Sequence, residues 1–203
     1  MSSIQLKRVG VIASTVFAGV LVANAAAADE GPNYTFIEAG YVHVEIDDFD
    51  ADGEALALQG SVAVTDMFHL IGGYQDGTID GPFGIDVDVS TLELGGGMNF
   101  ALSPTVDFVG QVAWLSTEVD VSGLGDVDDD GYGLGAGVRA MISPRFEVGA
   151  GVNYADIADD GQTTFGGEVL YHFTDMFAVT GGVTVGEDST SYGVGVRANL
   201  HGM

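Results

Sequence analysis

The sequence predicts an all-β fold: an antiparallel up-and-down transmembrane β-barrel of about ten strands that follows a cleaved signal peptide. Three observations lead to this prediction. Beyond residue 28, apolar residues alternate with small or polar ones at a period of two, and helical spacing is nearly absent. Two unlike kinds of turn alternate along the chain. No later stretch approaches 18 consecutive apolar residues, so no transmembrane helix is predicted.

The composition excludes several classes of protein. The 203 residues include 30 Asp and Glu against 5 Lys and Arg, a net charge of −25. A chain with so few cations cannot displace the counterions of a nucleic acid, so we expect no nucleic-acid partner. The apolar fraction of 46% is too high for a disordered acidic chain. Because cysteine is absent, disulfide and thiolate chemistry are excluded.

The first 28 residues have the three zones of a secretory signal peptide. Lys7 and Arg8 precede an apolar run from Val9 to Val22, and small residues then offer cleavage after Ala25 or Ala28. The alternative, a membrane anchor, is disfavoured because the apolar run is shorter than the roughly 20 residues of a spanning helix. We therefore divide the chain into a signal peptide, 1–28, and a barrel, 29–203. The barrel keeps all 30 acids but only three arginines.

The turns give the strand count. Four tight turns surround residues 65–67, 103–105, 143–145 and 174–176, and they alternate with five longer segments rich in Asp and Gly: 47–54, 76–88, 119–131, 156–162 and 186–190. Nine connections imply ten strands. The predicted spans are 34–46, 54–64, 68–75, 88–102, 106–118, 132–142, 146–155, 163–173, 177–185 and 190–200.

Two architectures fit ten alternating strands: a soluble sandwich or calycin-like barrel, and a transmembrane barrel with its apolar face outward. The transmembrane barrel is favoured because aromatic residues cluster beside the tight turns, where an interfacial girdle is expected. Short turns at one end and long loops at the other match periplasmic and extracellular ends. The aromatic residues are Phe68, Phe100, Phe146, Phe173 and Phe177.

The segment from Tyr34 to Tyr41, YTFIEAGY, resembles the first strand of the small outer-membrane barrels of Gram-negative bacteria, the group that includes OmpX, Ail and the barrel of OmpA. The resemblance covers residues 30–200 and implies a place in the bacterial outer membrane, with membrane lipid, lipopolysaccharide and the barrel-assembly machinery as partners. It leaves the oligomeric state open. Two departures are the count of ten strands rather than eight, and an end at Met203 rather than at Phe.

The polar face of the strands is predicted to line the lumen. Arg139 and Arg197 are expected to pair with carboxylates there, because an unpaired buried charge is costly. The many inward glycines have two explanations: they ease the curvature of a small barrel, or they line a narrow water path. The predicted ion-pair network consists of Glu38, Glu93, Asp107, Arg139, Glu147, Glu168 and Arg197.

The first strand has conflicting parity. Glu38 and Gly40 suit the lumen, yet Val42, Val44 and Ile46, which share their parity, are apolar. A β-bulge near Tyr41 would reconcile the two halves.

Two acidic segments carry the pattern Asp-x-Asp-x-Asp-Gly, whose alternate carboxylates converge on Ca²⁺ in EF-hand loops. The match is incomplete, because the twelfth position holds Gln59 or Gly137 rather than Glu, so a solvated loop is the alternative. No other cofactor is expected. The candidate ligands are Asp48, Asp50, Asp52, Asp126, Asp128 and Asp130.

The sequence favours a non-enzymatic role for the barrel in surface structure, surface interaction or adhesion. One alternative is a narrow porin-like diffusion channel that prefers cations mildly, because its lumen is acidic. Weaker alternatives are a soluble periplasmic β-protein and an omptin-like protease with His43 at its rim. The sequence contains no recognisable Ser-His-Asp arrangement.

Overall fold

The structure is a computed structural model, and it describes residues 32–46, 51–81, 85–121, 125–158 and 160–200. The predicted signal peptide, 1–28, lies outside these ranges. Within them, no helix is long and apolar enough to cross a membrane. The ten strands are β1 Phe36–Ile46, β2 Ala51–Ala63, β3 Phe68–Gly81, β4 Ile85–Ser103, β5 Val106–Val121, β6 Gly125–Ser143, β7 Phe146–Ile157, β8 Asp160–His172, β9 Phe177–Val185 and β10 Ser189–Asn199.

The strands form one closed barrel in which each strand pairs antiparallel with its neighbour in sequence, and β1 pairs with β10. The closing pair runs without a break from Phe36 opposite Asn199 to Ile46 opposite Ser189. Closure gives every strand two partners, which lipid requires because it offers no hydrogen bonds to a free edge. The predicted all-β fold, an antiparallel up-and-down barrel of ten strands, is confirmed.

The four tight turns lie at one end of the barrel, which we call the turn end. In three of them a hydroxyl oxygen accepts the backbone N–H of the residue three positions later: Thr65 from Phe68 at 3.0 Å, Ser143 from Phe146 at 3.1 Å, and Thr174 from Phe177 at 2.9 Å. Such hydroxyl residues favour reversal of the chain because they supply a local acceptor for a free amide.

The strands reach further into the acidic segments than predicted. β3 continues to Gly81, β4 begins at Ile85, β5 continues to Val121 and β6 begins at Gly125. The five connections opposite the turn end, which we call the loop end, are therefore short. The high content of Asp and Gly suggested loops. The alternation of Asp with Val, as in the IDVDVS of β4, is nevertheless a strand pattern, and it determines the structure.

The predicted bulge near Tyr41 is wrong. β1 pairs in unbroken register with both β2 and β10, so Glu38, Gly40, Val42 and Val44 all point inward. The register of β1 is constant, and the lumen around it changes. The interior is polar beside Glu38 and apolar beside Val44, which explains the two residue types on one face. Irregular pairing occurs instead at two tight turns, between Ala101 and Ser103 in β4 and at the corresponding place in β6.

On the side formed by β1 to β5, the interior at the loop end is a packed apolar cluster that we call the rim core. Its side chains come from β1 to β5, and none exposes more than 7% of its surface. Further down the barrel wall, the outward face carries the exposed apolar residues instead, with Leu56 at 69%. The rim core consists of Val42, Val44, Ile46, Ala51, Ala55, Ile79, Val87, Val89, Val119 and Val121.

The apolar belt lies between two aromatic girdles. The phenylalanines predicted beside the tight turns all point outward and are exposed. A second girdle toward the loop end was not recognised in the sequence. Its members occupy outward-facing positions next to the first outward acidic residues. Amphipathic aromatic rings are suited to such a boundary between apolar and polar surface. They are Tyr41, Tyr74, Trp114, Tyr132, Tyr154 and Tyr192.

The inward glycines divide between the two explanations. At Gly95 an added Cβ would lie 2.3 Å from the carbonyl oxygen of Val112 and 2.8 Å from Ala113, so only glycine permits this close approach of β4 to β5. Other inward glycines line a cavity of about 20 Å³, which has room for about one water molecule. These are Gly149, Gly166, Gly182 and Gly193.

We predict that Gly95→Ala lowers the free energy of unfolding by about 1–3 kcal/mol, because a backbone carbonyl cannot move aside without disturbing the sheet. Gly73→Ala is the matched inward control, since its nearest neighbour would lie at 3.7 Å, an ordinary contact. Urea unfolding in detergent micelles measures both variants. Equal midpoints for the two would contradict a steric requirement at Gly95.

Candidate functional site

All seven charged residues of the predicted network point into the lumen. Arg197 and Glu147 are fully buried, Arg139 exposes 1% of its surface, and Glu168 is partly buried. Alternation along the strands places them there, because each has the parity of the inward face. The seven include five carboxylates and two guanidinium groups, so the arginines can neutralise only some of the acids.

Arg197 forms an ion pair with Glu38 where the barrel closes. The two residues lie directly opposite each other on β10 and β1. The hydroxyl of Thr180 also donates a hydrogen bond to Glu38 Oε1 at 2.9 Å. The guanidinium carbon of Arg197 lies 4.4 Å from the ring centroid of Phe36, a cation–π distance. The pair is therefore supported by both a hydroxyl and an aromatic ring.

Arg139 pairs with Glu147, and both side chains are buried. Glu147 is also approached by His172, whose Nε2 lies 3.9 Å from the second carboxylate oxygen. The guanidinium carbon of Arg139 lies 5.0 Å from the ring centroid of Tyr34. The second arginine thus repeats the arrangement of the first, with a carboxylate partner and an aromatic ring.

Tyr34 precedes β1 and fills the lumen at the turn end. Its hydroxyl donates a hydrogen bond to Asp107 Oδ2 at 2.9 Å, and its ring stacks on His69 with centroids 4.7 Å apart. Ser61 donates to its backbone oxygen at 2.9 Å. Tyr34 was not among the predicted lumen residues, although it shares the inward parity of Phe36 and Glu38. That parity was the available signal.

The lumen therefore has three layers. At the turn end, Tyr34 and Phe36 pack with the two arginine–carboxylate pairs. Small cavities of about 20 Å³ lie along the wall, and each borders one carboxylate: Glu168, Glu93 or Glu38. At the loop end, the rim core lines the β1–β5 side of the interior, and the buried hydroxyl residues Thr164, Thr184, Ser189 and Ser191 line the β8–β10 side. Side chains occupy both ends of the barrel.

The predicted calcium ligands are arranged differently from a cation-binding loop. Asp126, Asp128 and Asp130 lie on β6 and are exposed on its outward face, and Asp52 is exposed on β2. Alternate residues of an extended strand are about 6.6 Å apart, too far for three to converge on one ion. Asp48 and Asp50 lie outside the described residues. Among those described, no group of three His, Cys, Asp or Glu side chains suits a metal ion.

These aspartates belong to a larger outward surface that we call the acidic wall. Asp52 faces Asp80 across β2 and β3, and Asp80 in turn faces Asp86. Asp120 lies between Asp88 and Asp126 in the same way. The wall consists of Glu45, Asp52, Glu54, Asp80, Asp86, Asp88, Glu118, Asp120, Asp126, Asp128 and Asp130.

A closed barrel with an apolar belt, a charged lumen and two aromatic girdles defines the membrane-spanning class of β-barrels. Residues 12–173 match the family described as outer membrane protein beta-barrel domain. This match extends over well more than half of the chain, so the protein belongs to that family. The resemblance found in the sequence is confirmed. The match ends one residue after β8, and β9 and β10 follow it.

Solved structures with a similar fold include porins and surface proteins. The translocator domain of the autotransporter NalP from Neisseria meningitidis has a TM-score of 0.54 and 8% identity, covering 97% of this chain and 96% of its own. The NanC porin has a TM-score of 0.51 and 9% identity, covering 82% and 100%. Identities this low show the fold alone.

A third structure is Ail, the attachment invasion locus protein of Yersinia pestis, in complex with the heparin analogue sucrose octasulfate. It has a TM-score of 0.45 and 18% identity, covering 81% of this chain and 98% of its own. The comparison with curated protein sequences finds no match.

We predict that Arg197→Ala lowers the stability of the refolded barrel by about 3–5 kcal/mol, because Glu38 would remain buried without its partner. Arg145→Ala, which removes an exposed arginine from a tight turn, is the control and should leave the urea midpoint unchanged. The double variant Glu38→Gln/Arg197→Met should recover part of the loss. An unchanged midpoint for Arg197→Ala would count against the pair.

Proposed function

We propose that the protein is a closed outer-membrane β-barrel with a structural, surface-interaction or adhesion role rather than a transport role. The supporting observation is the filling of both ends of the lumen. Tyr34, Phe36 and two ion pairs occupy the turn end, and the rim core together with the buried hydroxyl residues of β8 to β10 occupies the loop end. A solute would have to displace buried, mutually packed groups at each end.

We further propose how the barrel is oriented in the outer membrane and how the chain reaches it. Residues 1–28 would direct export, the turn end would face the periplasm, and the loop end would face the cell exterior. The start of β1 at Phe36 and the end of β10 at Asn199 both lie at the turn end, as expected for an even strand count. The barrel-assembly machinery would insert the chain. Cell fractionation combined with heat-modifiable gel mobility checks this location.

The alternative function is a narrow diffusion channel that prefers cations. The observation favouring it is the row of small cavities beside Glu168, Glu93 and Glu38. If these cavities joined through thermal motion, the carboxylates would attract cations and repel anions. The absence of an enzymatic activity stays a prediction in either case.

We expect the purified barrel to give no resolvable conductance steps in planar lipid bilayers, because side chains close both ends of its lumen. An open porin reconstituted in the same lipid is the positive control. Insertion should be verified by protease protection, so that the absence of conductance steps can be attributed to a closed barrel. Regular steps whose size scales with salt concentration would refute the closed barrel and favour the channel.

We also propose that divalent cations gather on the acidic wall and link it to anionic lipopolysaccharide. Carboxylates placed directly opposite one another on neighbouring strands repel, and this repulsion falls when cations accumulate beside them. The second aromatic girdle lies immediately below the wall. The wall would therefore stand at the level of the lipid headgroups, where phosphates need the same cations.

We expect Ca²⁺ to raise the melting temperature in detergent by about 2–4 °C over EDTA, equivalent to about 1 kcal/mol for a chain of this size. The variant Asp126→Asn/Asp128→Asn/Asp130→Asn should show a smaller rise. The control is Asp66→Asn/Asp175→Asn, which neutralises two exposed acids at the turn end and should behave as wild type. Identical curves with Ca²⁺ and EDTA would dismiss binding at the wall.

A further inference from the structure

Glu93 differs from the other carboxylates in the middle of the barrel because no charged group accompanies it. It exposes 8% of its surface and points inward from β4, opposite Gly73 on one side and Leu115 on the other. Within the described residues it has no ion pair and no hydrogen bond. Glu38 and Glu147 have arginine partners, and Glu168 lies within electrostatic range of both arginines.

Glu93 borders a small cavity that two residues with amide side chains also line. The cavity has a volume of about 20 Å³ and is lined by Glu93, Gln111 and Asn153. A methyl group placed on Gly135 would lie 2.7 Å from Asn153 Oδ1 and 3.7 Å from Gln111 Oε1. The absence of a side chain at Gly135 therefore brings two amide oxygens toward the same point.

Apolar side chains close the other side of this cavity. Ala113, Leu115 and Ala155 line it, and all three belong to a buried apolar cluster that also contains Ile71 and Ile157. An ionised carboxylate beside such groups loses hydration without a compensating partner, which is costly. A proton on the carboxylate or a cation bound beside it would remove this cost.

We propose that the Glu93 cavity is a resident binding site for a monovalent cation of the size of Na⁺. The donor set consists of one carboxylate and two amide oxygens, which suits a hard cation bound through oxygen. One positive charge neutralises the single carboxylate. A divalent ion would leave an excess positive charge next to Leu115 and Ala113, where the dielectric is low. The volume has room for one ion or about one water molecule.

This site goes beyond the proposed surface role and does not depend on it. A resident ion at Glu93 would stabilise the barrel whether or not the lumen conducts, and whether or not cations gather on the acidic wall. Its role would be that of a structural ion joining β4, β5 and β7, the strands that carry Glu93, Gln111 and Asn153.

The test is the urea midpoint of the refolded wild-type barrel in NaCl and in choline chloride at equal ionic strength and mildly alkaline pH. Choline is far too large for the cavity. We expect NaCl to raise the midpoint by about 0.5–1 M urea, as for a ligand present well above its dissociation constant. Glu93→Gln, which keeps the shape but removes the charge, should abolish the difference between the two salts.

The control is Glu118→Gln, which removes an exposed carboxylate of the acidic wall and should keep the full response to NaCl. Two outcomes would overturn the proposal. If wild type and Glu93→Gln have the same midpoint in both salts, Glu93 holds a proton. If both respond equally to NaCl, the ion acts elsewhere.

A second pair of variants keeps the proposal testable should Glu93→Gln fail to fold. Asn153→Asp adds a second carboxylate to the cavity and should change the preference toward Ca²⁺, whose charge then matches. Asn153→Ser is the matched control, which keeps the single carboxylate. The rise of the midpoint on replacing NaCl by CaCl₂ should be larger for Asn153→Asp than for Asn153→Ser. Equal rises would overturn the site.

Discussion

Closure of the sheet between β1 and β10 is the constraint on which the rest of the structure depends. A barrel in lipid has no water for an unpaired strand edge, so both neighbours of every strand are fixed by hydrogen bonding. Once the pairing is fixed, alternation decides which side of the wall each side chain occupies along the whole strand. A residue cannot change sides without a bulge, and β1 contains none. Where the environment changes along a strand, the residues on each face therefore change from polar to apolar, or the reverse, while each position keeps facing the same side of the wall.

That rule explains why the molecule contains two opposite patterns on the same strands. Within the belt, apolar side chains point outward and polar ones point inward, as at Ile37 and Glu38 of β1. Beyond the second girdle, β1 carries Glu45 outward and Val44 inward, which is the arrangement of a soluble β-protein. The barrel wall passes from lipid into water at this point, so the hydrophobic effect favours the opposite face on either side of the boundary.

The sequence was sufficient for the strand count, the tight turns and the inward position of the charged residues, because these follow from local patterns with a period of two. The predicted strand ends at the loop end were wrong. The high content of Asp and Gly was interpreted as loop, although the alternation around Val87 and Val119 is a strand pattern. The parity of Tyr34 predicts its inward position, but its hydrogen bond to Asp107, 73 residues away, could not be predicted from a local pattern. The choice of Glu38 for Arg197 depends on closure across 159 residues, which no local pattern contains.

The ion pair between Glu38 and Arg197 lies at the seam where the two ends of the chain meet, and this position gives it a second consequence. A slip of one residue between β1 and β10 would turn Arg197 out of the lumen toward lipid and would also separate it from Glu38. A slip of two residues would place it opposite Phe36 or Gly40, leaving Glu38 buried without its partner. Because a buried pair contributes little net stability when formed but much is lost when it is broken, it penalises wrong registers more than it stabilises the right one. The seam, which has no short turn to set its register, is thus aligned by charge.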